Sequence, residues 1–457
     1  MLEKAARALA RHTPEGDADA LSLANDVIEV NPLDPHAMYI AGTALSRMKQ
    51  NGLATILLNA ASQLKPDEPA IWNNLGCALQ EWHPKDAVAV FARALEANPD
   101  HLEAKKNLAA VLGRVGRRAE AIELGRQMWN DHPNDEDIPY NLALDLLHTP
   151  DWKSAWEAYR YAEGNAQRTL RRYPTPPTGQ GVAMRWTPGT PADRVVIFGE
   201  QGVGDEIWAS AMYNDVHWAN PGTRIALDCD PRLEKIFARS FPWAEVHGTR
   251  TVRRPEWAKA TPVNASIIAF GLAETYLPTP RRSTAWLKPD PLLVDMFRAY
   301  LARLGDGPKI GLAWTGGATA WERAERSIDP ALLGAFSHIP KAVVVSLQYE
   351  DGPCPPGVHE IPWATRKGVD LDVTAALIAA LDVVVSVPQT ACDIAGAVGT
   401  PLRALVGPSP PWRFTEEAGD AWLWQDVRTY RRAEKTTWMP AIARCAHNLR
   451  EELTCPA

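Results

Sequence analysis

Three strand-to-helix turns in this 457-residue chain carry residue types that handle anions and protons. The first reads VVIFGEQGVGDEIWAS. Gly199, Gly202 and Gly204 let the backbone approach a ligand closely, and a helix opening near Asp205 offers its first N–H groups to an anion. Asp205 at such a place is either a helix cap or a base that takes a proton. Glu200 and Glu206 beside it are backup candidates for that base, against a reading as structural or solvated carboxylates. The turn is neither a G-x-G-x-x-G fingerprint nor a P-loop, since no Gly-Lys-Ser/Thr follows. The second turn reads KIGLAWTGG, then ERAERSIDP. A strand ends at Trp314, Gly316 and Gly317 follow, and Arg323 and Arg326 precede the next element. A guanidinium there is either a solvated surface charge or a bidentate clamp for a diphosphate. The third reads DVVVSVPQTACDIAGAVGTP. A helix starting at Gln389, Thr390 and Ala391 presents a second anion site, and Ala395, Gly396 and Ala397 permit close helix–sheet packing. Trp412, Arg413 and Phe414 end the next loop, where core packing of the last layer competes with ligand contact.

These turns need strands to hold them. Short apolar runs predict strands at 195–198, 224–229, 266–270, 309–314, 342–348, 382–387 and 402–407. Helical patterns lie between them, DVTAALIAAL (372–381) being one. Alternation of this kind predicts parallel sheets with helices on both faces. The proline-rich segment LPTPRRSTAWLKPDP (277–291) divides the series into halves, 191–290 and 291–457. Two doubly wound halves facing a cleft bind ligands at the carboxyl ends of their strands. Upstream, the Pro-, Gly- and Thr-rich residues 164–190 read as a linker.

Composition narrows the class. With 46% hydrophobic and 23% charged residues, the chain is an ordinary globular protein rather than a disordered one. No run approaches the ~18 apolar residues of a membrane span. The N-terminus, MLEKAARALARHTPEGD, lacks the apolar core of a secretion signal, so a cytoplasmic protein is expected. Six scattered cysteines, none at CxxC spacing, predict reduced thiols rather than zinc ligands or disulfides. No Asp-x-Asp or histidine cluster points to a metal, and chemistry without one is expected. Residues 1–163 hold 16 Lys+Arg and 24 Asp+Glu, a net of −8 out of the total −7. Such a module repels a nucleic-acid backbone. Four basic–aromatic stretches, at 168–173, 250–257, 281–286 and 428–432, keep nucleic acid as a lesser alternative.

The acidic third is a repeat of 33–34 residues. Gly42, Ala54, Leu58, Ala61 and Pro66 fall on Gly76, Ala87, Phe91, Ala94 and Pro99. They fall again on Ala109, Ala121, Gly125, Met128 and Pro133. A degenerate first unit ends in Ala20, Ala24, Val27 and Pro32, and a fifth supplies Leu142, Ala143, Leu146, Ala155, Tyr159 and Ala162. The pattern resembles the tetratricopeptide repeat (TPR). One such unit cannot bury its own apolar face, so units stack and leave a concave surface that docks a polypeptide or serves as a spacer.

The motifs GEQGVGDEI, GLAWTGG with RSI, VVVSLQ, DVTAALIAALDVVVSV, AGAVGTP and PSPPWRF, in this order, resemble bacterial tetratricopeptide-repeat glycosyltransferases. The catalytic part of that family is related to the lipopolysaccharide heptosyltransferases. The layout is also similar to flagellin glycosyltransferases, whose repeats recruit the acceptor. The resemblance implies a TPR solenoid followed by an α/β GT-B fold with an acceptor-side N-terminal and a nucleotide-sugar C-terminal domain. It implies Asp205 as base. It implies donor contacts at Gly202, Gly204, Trp314, Gly316, Arg326, Gln348, Gln389, Thr390, Ala391 and Asp393. The partners would be a nucleotide sugar as co-substrate and an acceptor polypeptide, with no separate cofactor. Pro388, Gln389 and Asp393 stand where the relatives carry Asp, Thr and His, which implies a changed sugar or nucleotide. The alternatives are a glycan or modified DNA as acceptor, and a scaffold whose transferase half has decayed.

Overall fold

The computed structural model describes residues 1–163, 184–249, 256–257, 265–279, 281–317, 320–414, 423–433 and 436–454. Most of the expected linker (164–183) and the basic stretches 168–173 and 250–255 lie outside the described residues. The chain divides into two compact units after Asp145.

The first unit is built from helix pairs: Leu2–Leu9 with Pro14–Val30, Pro35–Arg47 with Asn51–Leu64, Pro69–Leu79 with Pro84–Ala97, and Leu102–Arg114 with Arg118–Asp131. Local chemistry sets their ends. Thr13 accepts from the Gly16 amide and Asp34 from the amides of His36 and Ala37, while Pro14, Pro35, Pro69 and Pro84 open their helices. Each second helix stops two residues before a proline, at Pro32, Pro66, Pro99 and Pro133. The glycines mark where paired helices touch. A Cβ on Gly42 would sit 2.7 Å from Leu58, and one on Gly76 would sit 2.5 Å from the Phe91 ring. Both partners are fully buried. Amide side chains link successive pairs: Asn107 donates to Asn73 at 2.9 Å, and Asn74 to the Thr43 hydroxyl at 2.9 Å.

The expected repeat boundary at 163 lies beyond the division after Asp145. The cause is the helix Trp152–Tyr159, which packs into the second unit. Its Trp156 stacks on Phe270 and tilts against Trp208, each with ring centroids 6.5 Å apart.

The second unit holds two wholly parallel sheets. Strands β1 (Met184–Arg185), β2 (Arg194–Phe198), β3 (Arg224–Cys229), β4 (Glu245–Gly248) and β5 (Ala265–Ile268) run in the order β1-β5-β2-β3-β4. β6 (Arg282–Ser283) belongs to a separate two-stranded sheet with β12 (Leu423–Trp424). Strands β7 (Lys309–Ala313), β8 (Val343–Ser346), β9 (Val358–His359), β10 (Val383–Ser386), β11 (Leu402–Val406) and β13 (Val427–Arg431) run in the order β13-β11-β10-β7-β8-β9. All seven expected strands are present. Val195–Ile197 and Val383–Val385 are buried along their whole length, as parallel strands covered on both faces must be.

One expectation needs correction. Residues 184–186, read as linker, pair with the first sheet. Met184 and Arg185 lie against Ala265 and Ser266, and the Trp186 amide donates to the Ser266 carbonyl at 2.8 Å. The proline-rich divider, in turn, ties the halves together. The amides of Trp286 and Leu287 donate to the Ala397 carbonyl at 2.9 and 3.0 Å. The Trp286 indole donates to Ser210 and the Lys288 amide to Ser240, each at 2.9 Å. Arg239 adds a fork onto Asp372, with both bonds at 2.8 Å.

Strand order fixes where a ligand fits. The second sheet winds outward in both directions from the adjacent pair β7 and β10. In the first, the chain leaves β2 toward β3 and β4 and returns to β5 on the other side of β2. At such switch points the loops leave in opposite directions and a crevice opens at the carboxyl ends. The three chemistry-bearing turns follow β2, β7 and β10.

Candidate functional site

The turn after β2 is held from below. Glu200 is buried, and its two oxygens accept from the Phe270 amide at 2.8 Å and the Tyr159 hydroxyl at 3.0 Å. Gln201 adopts the left-handed region, φ 56°, and its amide donates to the same hydroxyl at 2.6 Å. Gly202 then caps the helix Val203–Ala209. Glu206 is buried as well and accepts from the Asp230 amide at 2.8 Å. Glu200 and Glu206 are therefore structural carboxylates.

Asp205 stands at the third position of that helix. One oxygen accepts from the Gly202 amide at 3.0 Å, so the capping role is present. The other accepts from Arg413 at 2.6 Å. Arg413 arrives from the loop after β11 and reaches across to the first half. On its far side its Nε lies 3.6 Å from Asp393. Asp393, on the helix Thr390–Val398, is held high at about 7, because burial outweighs the pull of Arg413 and Asp205 pushes the same way.

The two helices meet at this point. A Cβ on Gly204 would come within 2.4 Å of Asp393 and 3.7 Å of the Thr390 backbone. Arg326 lies within charge range of Arg413 and Asp205. It donates to Glu322 at 2.8 Å, and its pKa is lowered by burial and by the neighbouring Arg413. Arg323 points elsewhere, in a fork on Glu350 at 2.8 and 2.9 Å.

The other expected donor contacts have definite places. Gln348 is buried and accepts from the amides of Trp314 and Thr315, both at 3.2 Å, so it shapes the turn after β7. The Trp314 ring lies in the core with Ile328, Phe336 and Leu405. Gly316 has no room for a side chain, since a Cβ would be 2.6 Å from the Pro388 carbonyl. Gln389 caps the Thr390–Val398 helix with its backbone extended, and its Nε2 is buried without a hydrogen-bond partner. Ala391 is buried at the same helix start. Gly202, Gly204, Asp205, Thr390 and Asp393 thus come together with Arg413, and Arg326 lies within charge range of them, whereas Trp314 and Gln348 support them from behind.

Arg413 is the member that sequence reasoning did not place in the site. Its signal was the Trp412-Arg413-Phe414 triplet. Both aromatic neighbours pack. Trp412 meets Trp208 edge-on at 4.9 Å, and Phe414 meets Trp424 at 5.2 Å. This packing fixes the arginine between them.

In the second unit Asp-x-Asp spacing does occur, at Asp228–Asp230 and at Asp370–Asp372. These carboxylates have protein partners: Asp228 accepts from Thr249, Asp230 binds Arg232, Asp370 binds Lys235 and Asp372 binds Arg239. Arginines of the expected basic stretches are also paired, Arg281 with Asp215, Arg428 with Glu452 and Arg432 with Glu325.

A helical repeat unit followed by a unit of two parallel sheets defines the class. A tetratricopeptide-repeat family model matches residues 78–138, and the flanking helix pairs keep the same spacing, so the chain carries tetratricopeptide repeats. Along most of its length the chain is similar to Protein FlbA of Caulobacter vibrioides. The identity is 29% over 439 residues, covering 89% of this chain and 71% of that protein. Among solved structures, MamA matches at 17% identity over 33% of this chain and 88% of its own, with a TM-score of 0.31. A thermophilic TPR protein of Thermus thermophilus matches at 18% over 37% and 94%, with a TM-score of 0.33. No helix among the described residues is long and apolar enough to cross a membrane.

Proposed function

We propose that the second unit is a metal-independent glycosyltransferase of GT-B type. It moves a sugar from a nucleotide-sugar donor to a polypeptide held by the repeats, in the cytoplasm. The observation that carries this reading is the meeting of Asp205 with Arg326, Arg413 and the start of the Thr390–Val398 helix at the carboxyl ends of two parallel sheets. Glycosyl transfer needs those parts. A carboxylate takes the proton of the acceptor hydroxyl as its oxygen bonds to the anomeric carbon. The bond from that carbon to the diphosphate oxygen breaks, and the departing charge needs cations and a helix N-terminus to receive it. Asp205 fills the first role, and Arg326 with the turn at Gln389 and Thr390 fills the second. Stacked repeats supply an extended surface for a polypeptide.

The test is a thermal-shift panel of nucleotide sugars, including nucleoside-monophosphate sugars, on the wild type and Arg326→Ala. A ligand that binds the folded state raises the melting temperature by mass action. A donor that shifts the wild type and shifts Arg326→Ala less supports the reading. No shift with any donor at millimolar concentration would favour a scaffold whose transferase half no longer works.

A further inference from the structure

Both oxygens of Asp205 are committed, one to the Gly202 amide and one to Arg413 at 2.6 Å. A base must offer a lone pair to the incoming hydroxyl. In the arrangement seen, an acceptor hydroxyl must share an oxygen of Asp205 with the Gly202 amide or with the Arg413 guanidinium. Arg413 is itself poorly served on its other side. Its Nε and the facing Asp393 oxygen are both buried, stand 3.6 Å apart, and have no hydrogen-bond partner. A buried charged donor and acceptor left so close and unbonded is a costly arrangement, which an added oxygen acceptor would relieve. Arg326, the second guanidinium, is near enough for Arg413 to depress its pKa, and an anion between the two would relieve that repulsion as well.

We propose that Arg413 guards Asp205 in the empty protein and turns onto the donor's diphosphate when donor binds, so that the base is released only in the donor complex. This rests on reading the crevice as a diphosphate site. Donor and Asp205 compete for one guanidinium, and the donor must bind before the acceptor hydroxyl is activated. Trp412, held edge-on to Trp208, keeps the backbone of Arg413 fixed, and the side chain alone moves.

The competition is measurable without knowing the donor. Isothermal titration with inorganic pyrophosphate, and then with the four common nucleoside diphosphates, is compared in wild type, Asp205→Asn, Arg413→Gln and the double variant. Near-ultraviolet circular dichroism confirms that each is folded. Asn at 205 keeps the cap on Gly202, so that variant is a sound probe even if Arg413→Gln proves unstable. Loss of the charge-assisted contact in Arg413→Gln should weaken binding by about tenfold or more. Freeing Arg413 in Asp205→Asn should tighten binding by about threefold or more, and most of that gain should vanish in the double variant. Binding that is unchanged or weaker in Asp205→Asn overturns the guard while leaving the diphosphate site standing. An equal gain in both backgrounds does the same, since it reports through-space charge alone. No binding of any probe to wild type or Asp205→Asn overturns the diphosphate reading, and the guard with it.

Discussion

Gly204→Ala tests the close approach on which the site depends. The added Cβ would lie 2.4 Å from a carboxylate oxygen of Asp393, far inside van der Waals contact. Asp393 is 4% exposed, so its short side chain has little space to turn into. Overpacking of this kind costs about 1–3 kcal/mol, and replacing a helical glycine returns at most about 1 kcal/mol. A net loss of about 1–2 kcal/mol lowers the melting temperature of a unit this large by roughly 1.5–3 °C. Near-ultraviolet circular dichroism is the suitable probe, because Trp156, Trp208, Phe270 and Trp412 form one aromatic group in the second unit. The control is Asp393→Ala, which removes the obstructing oxygen. In that background Gly204→Ala should cost nothing. A drop of equal size in both backgrounds would refute the contact as the cause.

Further outcomes follow from single sites. Tyr159→Phe removes the hydroxyl shared by Glu200 and Gln201, a loss of about 1–3 kcal/mol at a buried carboxylate. Turnover should fall with donor affinity retained, which a comparison of kcat with donor KM reads directly. Phe91→Ala empties the space beside Gly76 and should destabilise the repeat unit by about 3–5 kcal/mol in urea unfolding. Burial lifts Asp145 to about 6 despite Arg118 beside it. Its unfolded value is near 3.9, so the folded unit binds the proton more tightly. Stability therefore falls as pH rises from about 4 to 6, by at most about 3 kcal/mol. Asp145→Asn should flatten that slope in pH-dependent unfolding of the repeats.

The elements were legible because each had a local cause. Prolines 32, 66, 99 and 133 stop helices wherever they stand, and runs such as VVVS suit only a strand covered on both faces. Strand β13 escaped because Arg428 and Arg431 alternate with apolar Val427 and Tyr430 at an edge, so it read as a basic surface. Strand β1 is two residues long and owes its existence to β5, eighty residues away in sequence. At the site, glycines and Asp205 announced a turn and a candidate base. Arg413 did not stand out, since an arginine's role depends on what it faces, and its partners Asp205 and Asp393 come from other segments. Gln348 and Trp314 were placed near the donor by position, while their burial sets them behind the turn.

The most direct test of the central proposal is transfer itself. Radiolabelled nucleotide sugars are supplied one at a time to the full-length wild type and to Asp205→Asn, with a bacterial lysate as the source of acceptor polypeptides. Label entering protein is counted after acid precipitation. Transfer by the wild type from at least one donor, reduced about 100-fold or more in Asp205→Asn, is the expected result for loss of a general base. No incorporation from any donor would contradict the activity, and equal incorporation by the two proteins would contradict the assignment of Asp205.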